Sequence, residues 1–405
     1  MNSLFFPTGP YNRFSDTTPQ AEKKAAAKAR ELAERQKKEA DDANDVSADS
    51  YGELPMVGSP EYKPSNLPRV SLADIAELED KEIVFRCWVE NARVQSAKLA
   101  FLNLRQGLNT IQAVVAAGEK LSKQMVKFAG NISTESTLFV HGLVKKTQEA
   151  VKSATIKDYE IHITKLFIEA KAEVPLPMQI EDAERPLPSE GLGNEDEKTA
   201  ADEGRPLVGL NTRLNNRTLD LRAKINHCIF IIKSGVCELF QEFLRGKGFV
   251  MIQTPKLQGA ASESGSNVFE VKYFDRSALL SQSPQWYKQM LVASRFPRVM
   301  EIGPVFRAEN SNTARHLTEF TGLDLEMEFQ ENYREVMGLL EDLMLFIFKE
   351  LNVRYKKETE LVRSAYHVED FKLPESGKVP RIPFVEGIKM LREAGEELGD
   401  YDDLT

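Results

Sequence analysis

The sequence predicts an α+β protein of two domains, a small five-stranded β-barrel followed by a larger domain built around an antiparallel sheet. Three observations carry this prediction. Short β-rich runs crowd residues 70–172, a stretch rich in acids, proline and glycine occupies 173–206, and longer helical patterns mixed with strands fill 207–405.

The elements follow in order. Residues 20–40, QAEKKAAAKARELAERQKKEA, lack glycine and proline and read as an exposed helix in which Lys23, Lys24, Lys28, Arg30, Arg35, Lys37 and Lys38 outnumber the acids. Such a helix either lies along a phosphate backbone or forms a solvated tail. Asp41 to Pro68, with four prolines, reads as a linker, so that 1–69 is an extension ahead of the barrel. Five strands are expected at 83–89, 99–105, 110–116, 138–144 and 159–167, with a helix, KQMVKFAG, after the third. That is the strand order of an OB-fold, a barrel that commonly holds single-stranded nucleic acid on one face. Glu173 to Pro206 reads as a hinge. Beyond it, a helix from about Leu221 to Arg245 ends at Gly246-Lys247-Gly248, and the strand FVMIQTP follows. PRVMEIGPVFRAE and TGLDLEMEF are expected as strands, and EVMGLLEDLMLFIFKEL as a helix.

Composition narrows the function classes. The 405 residues, 41% hydrophobic and 28% charged, can bury two cores. The greasiest stretch, Ile225 to Phe240, is interrupted by His227, Lys233 and Glu238, so no membrane helix is expected. The N-terminus resembles neither a secretory signal nor a transit peptide, which leaves the cytoplasm. Cys87, Cys228 and Cys237 are too few for a disulfide framework and lack zinc-ligand spacing. A net charge of -9 argues against a uniformly basic nucleic-acid binder.

The chemistry concentrates in residues 297–328. Apolar positions Val299, Ile302 and Val305 are expected to deliver Arg307 and Glu309 to one side of a strand. Arg315, His316 and Phe320 come on the return strand. Arg suits phosphate or carboxylate through its planar fork, and an aromatic can stack on a base. The same pattern also fits a surface salt-bridge ladder on an ordinary hairpin.

FRAEN followed by RHLTEF resembles motif 2 of class II aminoacyl-tRNA synthetases, and GKGFVMIQTPKL, centred on Pro255, resembles their dimer-forming motif 1. ALLSQSPQWYKQ, residues 278–289, resembles the amino-acid pocket of the aspartyl-tRNA synthetases, and NTRLNNRTLDLR and SESGSNVFEV extend the likeness. The resemblance to the eukaryotic cytosolic aspartyl enzymes runs from about Tyr51 onward. It implies ATP-dependent activation of L-aspartate, with Mg2+, and transfer to tRNA(Asp) by a cytoplasmic homodimer. Gln285 and Lys288 would hold the substrate aspartate, a buried ammonium being left unpaired if asparagine entered instead. Ser262 and Glu263 would lie on a closing loop, with Glu263 sensing the α-ammonium. Arg307 would bridge the ATP α-phosphate and the aspartate carboxylate as the catalytic residue. Glu309 would contact adenosine or the tRNA end, Arg315 and His316 the outer phosphates, Leu317 would line the ATP site, and Phe320 would stack on adenine. No metal ligand is implied within this chain. On the barrel, Phe101 would stack on an anticodon base while Arg93, Gln112 and Glu160 read base edges. A core position in an alternating strand is the other reading of Phe101.

The sequence departs from the family in places. No motif 3 follows Thr321, so an incomplete catalytic domain with negligible activity of residues 1–405 alone is expected. A paralogue that binds tRNA or a synthetase subunit without catalysis is the alternative. Asn215 stands where relatives favour Asp, and the N-terminal helix lacks a clear LSKK-type element.

Overall fold

The computed structural model describes residues 45–63, 69–185, 207–262, 268–311, 316–366 and 368–402. The basic segment 20–40 lies outside them, as does most of the acidic stretch. The chain divides into two compact units, residues 1–176 and 177–405.

The first unit is the expected barrel. Strands β2 (Glu82–Ser96), β3 (Leu99–Gln106), β4 (Asn109–Ala116), β5 (Thr137–Lys146) and β6 (Tyr159–Ala170) pair in the cyclic order β2-β3-β4-β6-β5, and β5 closes back onto β2. Every pairing is antiparallel except β4 with β6. Alternation fills the interior, because side chains two apart share a face. Phe85, Cys87 and Val89 meet Ala100, Leu102, Leu104, Ile111, Ala113 and Val115 there. Helix α1 (Lys123–Gly130) contributes Met125, Val126 and Ala129 to the same core, and Ser122 caps it by accepting from the Met125 N–H at 3.1 Å.

The linker reading fails for part of 41–68. Tyr51–Glu53 forms a short strand, β1, that pairs parallel with β6. Tyr51 supplies the reason, since its ring packs 5.0 Å from Phe128 and its hydroxyl donates to Asp45. Local polarity and proline content mask such a contact, which depends on a partner 77 positions away in sequence.

The second unit is built on a sheet ordered β12-β11-β7. β11 (Arg298–Phe306) runs antiparallel to β12 (Glu319–Met327) and parallel to β7 (Val250–Met251). Met300 and Ile302 from β11 and Leu325 and Met327 from β12 pack against Leu239, Phe240 and Leu244 of the long helix Lys224–Gly246 and Leu343, Ile347 and Leu351 of the helix Arg334–Arg354. One sheet face is thereby covered by helices and the opposite face is left for polar side chains. A second antiparallel sheet joins β8 (Leu257–Gln258), β10 (Arg276–Leu280) and β9 (Glu270–Tyr273).

Part of the expected hinge is structured. Ile180–Ala183 is a helical turn, and its Ile180 and Ala183 cluster with Met178 and Ala223. NTRLNNRTLDLR folds into two short helices around a buried Asp220, which accepts from Arg213 Nε at 2.6 Å, from Arg217 and from Asn226 Nδ2. A buried carboxylate is tolerated here because each oxygen is met by a charged or amide donor.

Candidate functional sites on the sheet face and the barrel face

Directly opposed residues on β11 and β12 point to the same side of the sheet. Glu301 faces Asp324, Gly303 faces Gly322 and Val305 faces Phe320. These are the rows of the uncovered face. The two opposed glycines contribute no side chain at its centre, and the floor there is bordered closely by Lys256, Glu301, Asp324 and Val305.

Above this floor stands the helix Gln285–Ala293. Lys288 is 4% exposed. Its ammonium donates to Asp324 Oδ1 at 3.0 Å and to the Leu325 carbonyl at 3.3 Å, with Glu326 Oε2 at 3.7 Å. Gln285 Nε2 donates to Glu326 Oε2 at 3.2 Å. Gln285 and Lys288 thus share one polar cluster with Asp324 and Glu326, two acids that the sequence reading passed over. Two carboxylates of the chain itself therefore share Lys288. The sequence carried a signal for these acids, the alternation D-x-E in LDLEM, but nothing local tied it to Lys288, 36 positions earlier.

At the other end of the floor, the Arg307 guanidinium lies 5.6 Å from the centroid of the Phe320 ring. β11 ends at Phe306, so Arg307 and Glu309 lie beyond the strand rather than within it. The ladder carries on by one bond, from the Arg307 N–H to the Thr318 carbonyl at 3.0 Å. This pins Arg307 beside the return strand. His316 Nε2 sits 3.8 Å from Glu309 Oε2, and its Nδ1 is 3.4 Å from Ser311 Oγ. Leu317 is exposed. Ser262 offers its carbonyl to Trp286 Nε1 at 3.0 Å. Glu263 and Arg315 lie outside the described residues. Pro255 precedes Lys256, whose ammonium donates to Glu301 Oε1 at 3.0 Å and to Thr254 Oγ1 at 2.9 Å. Glu301, 3% exposed, also accepts from the Thr254 N–H at 2.8 Å.

The barrel carries a second constellation. A bulge between Val89 and Asn91 shifts the alternation of β2. Without it the inward series Phe85, Cys87, Val89 would continue to Asn91 and Arg93. With it, Asn91 and Arg93 face outward. Two lateral rows result. Arg93, Phe101, Val114 and His162 are successive partners across β2, β3, β4 and β6, and Asn91, Asn103, Gln112 and Glu160 form the adjacent row. The Arg93 guanidinium is 5.7 Å from the Phe101 ring centroid, and Phe101 is half-buried on the outer face rather than in the core. Glu160 is held on both oxygens, by Gln112 Nε2 at 2.9 Å and by His162 Nε2 at 2.9 Å. His162 is a contact that sequence reading missed. This face joins an aromatic, a cation and fixed acceptors, the set that stacks and reads an unpaired base.

Comparison with known proteins places both parts of the chain in known families. Residues 209–402 match the family model of tRNA synthetases class II (D, K and N), and 83–169 match that of the OB-fold nucleic acid binding domain. The chain is 44% identical to the human protein named aspartate–tRNA ligase, cytoplasmic, over 94% of this chain and 73% of that one. Among solved structures, the aspartyl-tRNA synthetase of Entamoeba histolytica superposes with a TM-score of 0.74 at 40% identity, covering 88% of this chain and 69% of that one. The asparaginyl-tRNA synthetase of Pyrococcus horikoshii complexed with asparaginyl-adenylate gives 0.65 at 27% identity, covering 84% and 70%. The chain belongs to the class II tRNA synthetases of the aspartate, lysine and asparagine group, and within it to the family of cytoplasmic aspartate–tRNA ligases.

Proposed function

We propose that this protein is an aspartate–tRNA ligase that activates L-aspartate with ATP and transfers it to tRNA(Asp) in the cytoplasm. The observation that carries the reading is the buried Lys288 beside Gln285 on the same sheet face as Arg307 and Phe320. In this reading Gln285 and Lys288 orient the substrate's side-chain carboxylate, and Ser262 and Glu263 border the α-ammonium. Phe320 stacks on adenine, while Glu309, Arg315, His316 and Leu317 surround the rest of the nucleotide. An oxygen of the aspartate α-carboxylate attacks the α-phosphorus, the bond to pyrophosphate breaks, and Arg307 balances charge on the phosphoryl oxygens. A ribose hydroxyl of tRNA then attacks the aspartyl carbonyl and AMP leaves. Positioning does most of the work, and no side chain need act as a strong base.

Mg2+ enters with ATP as part of the substrate. Among the described residues no three His, Cys, Asp or Glu side chains converge on a metal position. Asp324 and Glu326 are engaged by Lys288. On the barrel, Phe101 stacks on an anticodon base while Arg93, Gln112 and Glu160 contact base edges. A homodimer through the segment around Pro255 fits the exposure of Val250 and Met251 on edge strand β7 and of Leu257 on edge strand β8.

The test is aspartate-dependent ATP–pyrophosphate exchange, with asparagine as competitor and calorimetric binding in parallel. Aspartate is expected to bind and to be preferred. Preference for asparagine overturns the roles of Gln285 and Lys288, and aspartate binding without exchange favours a binding protein that lacks catalysis. Lys288→Met is expected to weaken aspartate by at least about tenfold, the cost of one charge-assisted contact.

A further inference from the structure

A second lysine lies at the floor of the sheet-face site, on the segment that follows Pro255. Lys256 reaches across the sheet to Glu301, and a Cβ placed on Gly303 would come within 3.3 Å of its Nζ. The ammonium therefore lies on the uncovered face, over the opposed pair Gly303 and Gly322. Its side chain is 21% exposed, so it is sheltered yet reachable.

The two lysines differ in how far their donors are committed. An ammonium has three N–H groups and no acceptor. Asp324, Leu325 and Glu326 supply three acceptors around Lys288 at 3.0, 3.3 and 3.7 Å. Around Lys256 stand two, Thr254 Oγ1 and Glu301 Oε1. Glu301 does not depend on Lys256 alone, since the Thr254 N–H and hydroxyl also donate to it, the hydroxyl at 2.8 Å to Oε2. Charge points the same way. Lys288 is shared by two carboxylates, so its charge is more fully offset within the chain. Lys256 faces a single carboxylate that is separately hydrogen-bonded.

We propose that Lys256 is a further ligand-binding residue, whose remaining N–H donates to an oxyanion of the ligand lying over Gly303 and Gly322. The inference rests on the reading of this face as the aspartate and ATP site. The oxyanion is either a carboxylate oxygen of aspartate or a phosphate oxygen of ATP.

The full chain is compared with Lys256→Met, Glu301→Gln and the double variant by calorimetric titration with L-aspartate and, separately, with ATP and Mg2+. Lys256→Met is expected to weaken one of the two ligands by about tenfold or more, as for the loss of one charge-assisted hydrogen bond. The ligand that weakens identifies the oxyanion. Glu301→Gln keeps the ammonium and is expected to stay within about threefold of the parent. The double variant is expected to remain as weak as Lys256→Met. It also leaves no orphaned buried carboxylate, so it carries the comparison if Lys256→Met alone does not fold. Recovery of parental affinity in the double variant overturns the proposal, because Lys256 would then serve only to neutralise Glu301. Unchanged affinity for both ligands in Lys256→Met overturns it as well. A parent chain that binds neither ligand overturns the reading of the whole face, and this inference with it.

Discussion

Phe101 sits between Ala100 and Leu102, both in the barrel interior, and so points away from it. Core packing does not account for an aromatic at this position. Phe101→Ala is expected to weaken tRNA(Asp) binding by about 1–3 kcal/mol, the usual worth of one stacked base. Thermal unfolding of the barrel should hardly move, and a large drop in its midpoint would instead favour a packing role. The cysteines make a contrasting case. Burial pushes the Cys228 thiol up to about 11, which keeps it protonated and unreactive at neutral pH. Residue identities of this kind were legible in the sequence through family resemblance, at Lys288, Arg307 and Phe101, although the strand pattern by itself left Phe101 open to a core reading. Their partners were not, because Asp324, Glu326 and His162 become neighbours through strand register and not through spacing.

At the scale of elements, the β11–β12 hairpin does two jobs with its two faces. Met300, Ile302, Leu325 and Met327 bind the sheet to its helices, while the alternate positions carry the polar floor. Gly322 matters to the second job. A Cβ there would come within 2.7 Å of Asp324 Oδ2 and 3.0 Å of Val305 Cγ2. Gly322→Ala is therefore expected to displace Asp324 from Lys288 and weaken aspartate binding by about tenfold or more, while costing about 1–3 kcal/mol of stability through overpacking. Titration calorimetry and urea unfolding would check the two effects separately. Unaltered aspartate affinity would mean that the floor is roomier than its geometry implies. The β2 bulge is the matching device on the barrel, since it alone turns Arg93 outward beside Phe101.

At the scale of the molecule, each unit holds its own hydrophobic cluster, and no helix among the described residues is long and apolar enough to cross a membrane. The barrel has a pH-sensitive contact. His141, packed edge-on 5.0 Å from the Phe139 ring, is held below the ordinary imidazole value of 6.5, by burial first and then by the nearby Lys165 charge. The unfolded chain binds the proton more readily than the folded one. His141 therefore contributes stability fully above pH 6.5, and that contribution is lost as pH falls from 6.5 through the lowered folded value. Urea midpoints of the barrel between pH 8 and pH 5 should fall on acidification, and His141→Gln should flatten that part of the slope. An unchanged slope in the variant would assign the acid sensitivity to other groups.

The two-part organisation, the five barrel strands with their helix, and the residues that carry family motifs can be read from the chain before it folds. These are recorded locally, in hydrophobic periodicity and in short runs such as QSPQWYKQ. Tertiary structure alone decided that Tyr51–Glu53 joins the barrel, that Met178 to Ala183 packs onto Ala223, and that Arg307 lies just past its strand. It also decided that Lys288 is shared by two carboxylates and that Lys256 reaches the floor of the site. The physical reason is the same in each case. Register, bulges and cross-strand pairing bring together side chains tens of residues apart, and no local pattern of polarity or spacing encodes which face of a sheet a distant ammonium will meet.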